Sequence, residues 1–225
     1  MSTTRRKGNY GGCKKPTSAH PVAKIKAFLA RRRFNKEIQK LVVPSGIPEW
    51  GSEEPLATII QSHANPGDII FDIGAFIGLY SIYLATHVDR PVVYAFEPNP
   101  LIYAILLQNI NTFNLHNRVI TINIALSDEV KEELLHVSSD PARSSFCQSN
   151  AEHGGNTIIK SVAVQCSTVD HMVQSGVCKP PDIMKIDVEG YEYEVLKGAA
   201  ITLEKRMPKV FFEPHGTASD PSNET

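Results

Sequence analysis

Gly67-Asp68-Ile69-Ile70-Phe71-Asp72-Ile73-Gly74-Ala75-Phe76-Ile77-Gly78 reads as an apolar strand, a glycine-rich turn and the start of a helix. The run from Ile69 to Ile73 is nearly continuous in apolar residues rather than alternating, the pattern of a strand covered on both faces. About twenty residues further on, Val92-Val93-Tyr94-Ala95-Phe96 is a second such run, and it ends at Glu97-Pro98-Asn99-Pro100. In an open α/β sheet this pairing brings a tight backbone turn and a ribose-binding acid to the same crevice. The two stretches together predict an α/β fold, a Rossmann-like and mostly parallel sheet with helices on both faces.

Working outward, Asn65-Pro66-Gly67-Asp68 is a turn, preceded by a short helix over 55–62. Gly78 to His87 is a helix with Leu79, Ile82 and Tyr83 on one side. Asn99 is placed to cap a helix whose first residue is Pro100, the favoured opening residue. That helix runs to about Asn114, with Leu101, Ala104, Ile105 and Gln108 at helical spacing. A third strand covers 119–124. Residues 130–166 break the alternation of strand and helix. Two short strands, 133–137 and 161–166, flank the polar segment 138–156, which predicts a hairpin-like insertion with a mobile loop. A short helix over 168–174 follows, then a buried strand over 182–186 ending at Asp187. Residues 191–197 form a helix with Gly198 at the position after its cap. The last strand, 210–212, ends at Glu213. Right-handed crossovers put every parallel strand's carboxyl end on one edge. Asp72, Glu97, Asp187 and Glu213 therefore line one crevice.

Composition bounds the rest. The chain has 225 residues, 42% of them hydrophobic, enough for one core. Net charge is −1, yet residues 1–36 hold eleven of the 23 Lys and Arg and none of the 24 acids. The organisation expected is a basic arm and helix over 1–40, with a helix from Pro21 to Lys40 ended by Pro44, Gly46 and Pro48. An α/β domain over 41–216 and a flexible tail over 217–225 follow. The arm suits weak contact with a polyanion, or an organelle-targeting segment. No run of eighteen apolar residues predicts a transmembrane helix, and the location expected is cytoplasmic. Cys13, Cys147, Cys166 and Cys178 contain no C-x-x-C pair, so they read as free structural thiols.

The glycine turn has the spacing Asp72-x-Gly74-x-x-x-Gly78. A dinucleotide site prefers Gly-x-Gly-x-x-Gly, with pyrophosphate at the helix start. A carboxylate two residues before the first glycine disfavours phosphate and suits a cationic ligand such as S-adenosyl-L-methionine. Glu97 is placed to accept hydrogen bonds from ribose hydroxyls, which both that donor and NAD contain. Lys185-Ile186-Asp187-Val188-Glu189-Gly190 ends a strand with two carboxylates one residue apart, able to orient an amino group, act as a base or hold a metal. Glu213 and His215 offer a further base or metal pair.

In this order the motifs resemble those of FkbM-type S-adenosylmethionine-dependent methyltransferases, over about residues 54–215. Residues 67–78 resemble the family's first cofactor motif and 93–100 its second, with 109–114 the helix end that follows. Ser167-Thr168-Val169-Asp170 and the stretch Asp182 to Glu192 resemble its most specific signature. The resemblance implies that Asp72, Gly74, Ala75 and Gly78 shape the methionine side and that Glu97 takes the ribose. It implies adenine beside Ala125 and Leu126, with Asp187 at the reacting end. It also implies O-methylation of a sugar or other small-molecule hydroxyl. The catalytic candidates are Asp187, Glu189, Glu213 and His215. No metal ligand set is assigned, and Mg²⁺ remains an option. Such folds usually close with an antiparallel hairpin, and only about ten residues follow Glu213. The hairpin is therefore expected to be absent, leaving an edge strand open to homodimer pairing. The alternatives are a catalytically inactive cofactor-binding or interaction domain and an NAD-dependent oxidoreductase.

Overall fold

The structure is a computed structural model and describes residues 54–215. The expected arm, the Pro21–Lys40 helix and the tail lie outside the described residues. In chain order the elements are α1 (Glu54–His63), β1 (Ile69–Ile73), α2 (Leu79–His87), β2 (Val92–Phe96), α3 (Pro100–Thr112), β3 (Val119–Ile122), β4 (Ala125–Leu126) and β5 (Lys131–Ser138). They continue with α4 (Gln148–Ala151), β6 (Ile158–Ser167), α5 (Val169–Gln174), β7 (Ile183–Ile186), α6 (Glu192–Lys197), α7 (Ala200–Arg206) and β8 (Lys209–Phe212).

Five strands form the main sheet in the order β3-β2-β1-β7-β8, and every pairing in it is parallel. The chain steps outward from β1 to β2 and β3, then crosses back to β7 and β8. The order reverses at β1, so the carboxyl ends of β1 and β7 flank the switch point where such sheets bind ligands. Successive residues of β1, β2 and β7 are buried, which requires cover on both faces. Phe71 packs edge-on against Tyr94 and tilted against Phe96, with centroids 5.4 and 5.2 Å apart. Met184, Ile186, Val195 and Ala199 extend that core.

The helix starts follow local chemistry. Asn99 Oδ1 accepts the Leu101 N–H and Pro100 opens α3, as the sequence predicts. α2 begins at Gly78, whose φ of 92° favours glycine. A Cβ there would stand 2.7 Å from Leu106 Cδ1, so this glycine sets the contact between α2 and α3.

Other regions depart from expectation. β3 stops at Ile122, because the Asn123 amide turns to donate to the Glu97 and Pro98 carbonyls. The chain then enters a second sheet of order β4-β6-β5, in which β5 and β6 are antiparallel and longer than the sequence suggested. Residues 139–157 form packed turns rather than a loose loop: Pro141–Arg143, α4 and His153–Gly155. Asp140 caps the first turn, Ser138 Oγ donates to the Ala151 carbonyl at 2.6 Å, and Ala151 is fully buried. Helical turns this short have no apolar period to read. Gly198 does follow α6, but with φ −72° instead of a left-handed conformation. Glycine is needed there because a Cβ would stand 1.9 Å from the Ser127 carbonyl oxygen. α7 has no counterpart among the elements expected from the sequence. Among the described residues β8 is the last strand. No helix of the described residues is long and apolar enough to cross a membrane. Cys147, Cys166 and Cys178 are free thiols, and Cys13 lies outside the described residues.

Candidate active site

A cavity of about 430 Å³ opens at the carboxyl ends of the main sheet. Gly74, Ala75, Glu97, Ala125, Leu126, Asp187, Glu189, Glu213 and His215 all line it. Asp72 and Gly78 are not part of its lining. The wall opposite the sheet edge comes from residues 140–146, the segment between β5 and β6.

The glycine turn is closed on itself. Gly74 N and Ala75 N both donate to the Phe96 carbonyl at 3.1 and 2.9 Å, and Gly78 N donates to the Ala75 carbonyl at 2.8 Å. Phe76 N donates to Glu97 Oε2 at 3.0 Å. Gly74 has φ 76°, and a Cβ on it would stand 1.9 Å from the Asp187 carbonyl oxygen. That close approach brings the β1 turn and the end of β7 together.

Glu97 is only 7% exposed. Its Oε2 accepts from Phe76 N and its Oε1 from Asn99 N at 2.8 Å, which leaves each oxygen a further lone pair. Burial pushes the carboxyl up to about 7, against the pull of those two N–H groups.

Asp72 lies beneath the wall. Its Oδ2 accepts from Ser81 Oγ at 2.6 Å, and its Oδ1 faces Lys185 Nζ at 3.4 Å. A direct contact between Asp72 and a ligand's amino group, as its place in the motif suggested, is therefore blocked by protein partners. Lys185 is buried and bridges Asp72 to Asp187, 3.3 Å away, and donates to the Gly74 carbonyl at 3.1 Å. Burial opposes its charge, but the Asp187 and Asp72 carboxylates outweigh it and hold the ammonium above the ordinary lysine range. The signal for it in the sequence is a charge inside the buried run Ile183-Met184-Lys185-Ile186, which by itself names no partner.

The end of β7 continues into a tight turn. Glu189 has φ 52°, unusual for a residue with a side chain. Ser145 Oγ and Asn150 Nδ2 both donate to its carbonyl, at 2.7 and 3.0 Å. The following Gly190 is in contact range of Asn150, where a Cβ would collide at 1.8 Å. Phe146 packs on the Tyr191 ring at 4.7 Å. Ser145 and Asn150 thus fix the turn that carries Asp187 and Glu189, and nothing in the spacing of residues 138–156 signalled it.

His215 Nδ1 lies 2.9 Å from Glu192 Oε1, and Nε2 lies 3.6 Å from Glu189 Oε1. The Glu192 hydrogen bond, helped by the Glu189 and Asp187 charges, overcomes burial and pushes His215 up to about 9. That shift favours the imidazolium and disfavours His215 as a base near neutral pH. Asp187, Glu213 and His215 are mutual neighbours, each offering a ligand atom within 4.8 Å of the others.

A parallel sheet with its cavity at the switch point, a closed glycine turn and a buried acid at the end of the neighbouring strand define a Rossmann-like α/β domain. The family described as the methyltransferase FkbM domain matches residues 72–224, and the chain belongs to that family. It is 29% identical over 183 residues to the hexuronic acid methyltransferase AglP of Haloferax volcanii, covering 81% of this chain and 70% of that one. It is 27% identical over 176 residues to the 31-O-demethyl-FK506 methyltransferase FkbM of Streptomyces tacrolimicus, covering 67% of this chain and 66% of that one. The crystal structure of an FkbM methyltransferase from Methylobacillus flagellatus superposes with a TM-score of 0.44 at 15% identity, covering 85% of this chain and 49% of that one.

Proposed function

We propose that this protein is an S-adenosyl-L-methionine-dependent methyltransferase acting on an oxygen of a sugar or other small molecule. The observation that carries the choice of cofactor is the closed glycine turn. A dinucleotide needs free backbone N–H groups at this turn for its pyrophosphate. Here the N–H groups of Gly74, Ala75, Phe76 and Gly78 all have protein acceptors, one of them the Glu97 carboxylate. The site instead offers acids along its wall, which suit a cationic donor.

The donor set fits the group. Glu97 keeps one lone pair on each oxygen for two ribose hydroxyls. Phe96, Ala125 and Leu126 give an apolar strip for adenine. Asp187, held by Lys185 through one oxygen, faces the amino-acid end. Asp72 acts at one remove, keeping Lys185 charged and in place. When bound, S-adenosyl-L-methionine supplies an electrophilic methyl group. The chain's own work is to hold donor and acceptor in line, exclude water and accept the acceptor's proton. Glu189 is the carboxylate left for that proton, since Lys185 already holds Asp187. Glu213 and His215 line the same cavity. One relative's name gives a hexuronic acid and the other's gives a 31-O position, which supports oxygen as the accepting atom.

Calorimetric titration with S-adenosyl-L-methionine, repeated in the presence of excess NAD, tests the reading. The expected result is saturable donor binding that NAD does not displace. Competition by NAD at similar concentration would overturn it.

A further inference from the structure

We propose that Asp187, Glu213 and His215 form a binding site for a divalent cation of the Mg²⁺ or Mn²⁺ class, through which the methyl acceptor is held. The cation's purpose rests on the methyl-transfer reading above, whereas the geometry of the site stands apart from it. The three side chains offer ligand atoms within 4.8 Å of one another, and all three line the cavity. Asp187 follows β7, while Glu213 and His215 follow β8. These strands are adjacent and parallel, with Ile186 opposite Phe212. The Asp187 N–H donates to the Ile73 carbonyl at 3.0 Å and the Glu213 N–H to the Ile186 carbonyl at 3.2 Å. Sheet register, not a free loop, therefore sets the spacing of the two carboxylates.

The histidine is held by a residue outside the cluster. Glu192 Oε1 lies 2.9 Å from His215 Nδ1 and also accepts the Gly190 N–H at 3.0 Å. Nδ1 is thereby engaged, and Nε2, 3.6 Å from Glu189 Oε1, is the ring atom that a cation would take in exchange for that ion pair. A carboxylate on the far ring nitrogen is the arrangement that fixes metal-binding histidines. Two carboxylate oxygens and one imidazole nitrogen form a mostly hard ligand set, better matched to Mn²⁺ or Mg²⁺ than to thiophilic ions. Glu189 adds a third carboxylate at 3.6 Å from Nε2, and a dication offsets the repulsion among these acids.

A cation with three protein ligands keeps coordination positions open. An acceptor with oxygens on adjacent carbons, a vicinal diol or a 2-hydroxy acid, fills two of them as a chelate. Coordination also makes the bound hydroxyl easier to deprotonate. The cation thus selects the acceptor by class and fixes which oxygen faces the donor.

The test uses Mn²⁺ and the full chain. Free Mn²⁺ is followed by its electron paramagnetic resonance signal at pH 8. The expected result is one saturable Mn²⁺ per chain that Mg²⁺ displaces. Glu213→Gln and His215→Gln each weaken it at least tenfold while S-adenosylhomocysteine affinity, by calorimetry, stays within threefold. Glu97→Gln gives the converse, losing S-adenosylhomocysteine and keeping Mn²⁺. Glu213 is exposed, so its isosteric change leaves folding intact. Absence of saturable Mn²⁺ binding, or binding that neither substitution alters, overturns the site and leaves the methyl-transfer reading untouched. Mn²⁺ binding without S-adenosylhomocysteine binding supports the site and defeats that reading instead.

Discussion

Replacing Glu97 with glutamine separates stability from function in a way that can be worked out from its surroundings. The carboxyl is buried and pushed from 4.5 up to about 7. Ionised, it costs the fold about 3 kcal/mol. Below pH 4.5 the group is neutral folded and unfolded and carries no penalty. Between pH 4.5 and about 7 the folded protein keeps a proton that the unfolded chain has released, so stability falls across that window and levels off above it. A glutamine in its place has no such penalty, but its NH₂ turns toward the Phe76 or Asn99 N–H, which costs about 1–3 kcal/mol. Glu97→Gln is therefore expected to melt at or above the wild-type temperature at pH 8 and below it near pH 4.5. The swing in relative stability is about 3 kcal/mol. Binding moves the other way. Hydrogen bonds to a charged acceptor exceed neutral ones by about 1–1.5 kcal/mol each. Two ribose hydroxyls then give roughly a 30- to 150-fold loss of S-adenosylhomocysteine affinity at pH 8. Circular-dichroism melts at both pH values and calorimetry at pH 8 read the two effects. A folded variant whose affinity stays within threefold would refute the ribose assignment, and a pH-independent difference in melting would refute the buried carboxylate.

Gly74→Ala puts a methyl group onto the Asp187 carbonyl at a positive φ, so it is expected to cost about 2–5 kcal/mol and to abolish S-adenosylhomocysteine binding. A thermal melt matching wild type would show that the turn and β7 are not so tightly apposed. Ser145→Ala removes the Oγ that donates to Glu189 and accepts from Cys147 N at a site 1% exposed. It is expected to destabilise by about 1–3 kcal/mol with S-adenosylhomocysteine affinity unchanged within twofold. A tenfold loss of affinity would show that the turn at Glu189 supports the donor as well.

The parallel sheet was legible because Ile69–Ile73, Val92–Phe96 and Ile183–Ile186 are buried on both faces, and such strands announce themselves as unbroken apolar runs. Asn99-Pro100 and the glycine turn were legible because capping and positive φ demand particular residues. The partners of each acid were not. Asp72 and Glu97 look alike in sequence, each an acid at or just past the end of an apolar strand. Yet Ser81 and Lys185 close off the first, while the second keeps free lone pairs toward the cavity. Ser81 comes from the following helix and Lys185 from a strand far along the chain, so no local pattern around Asp72 reveals them. The capping role of residues 139–157 was hidden for a related reason. Its turns are three or four residues long and are held by Ser145, Asn150 and Phe146 meeting the Glu189 turn, contacts that leave no period in the chain.

The second sheet has a core of its own, built on Ala125, Leu135, Val164 and Cys166, and it carries the 139–157 segment at the far end of the β5–β6 pair. Insertions or exchanges there can reshape one side of the cavity while β1, β2 and Glu97 stay as they are. The architecture therefore allows descendants to keep the β1–β2 side of the cavity and vary its opposite wall by exchanging residues in a single segment of chain.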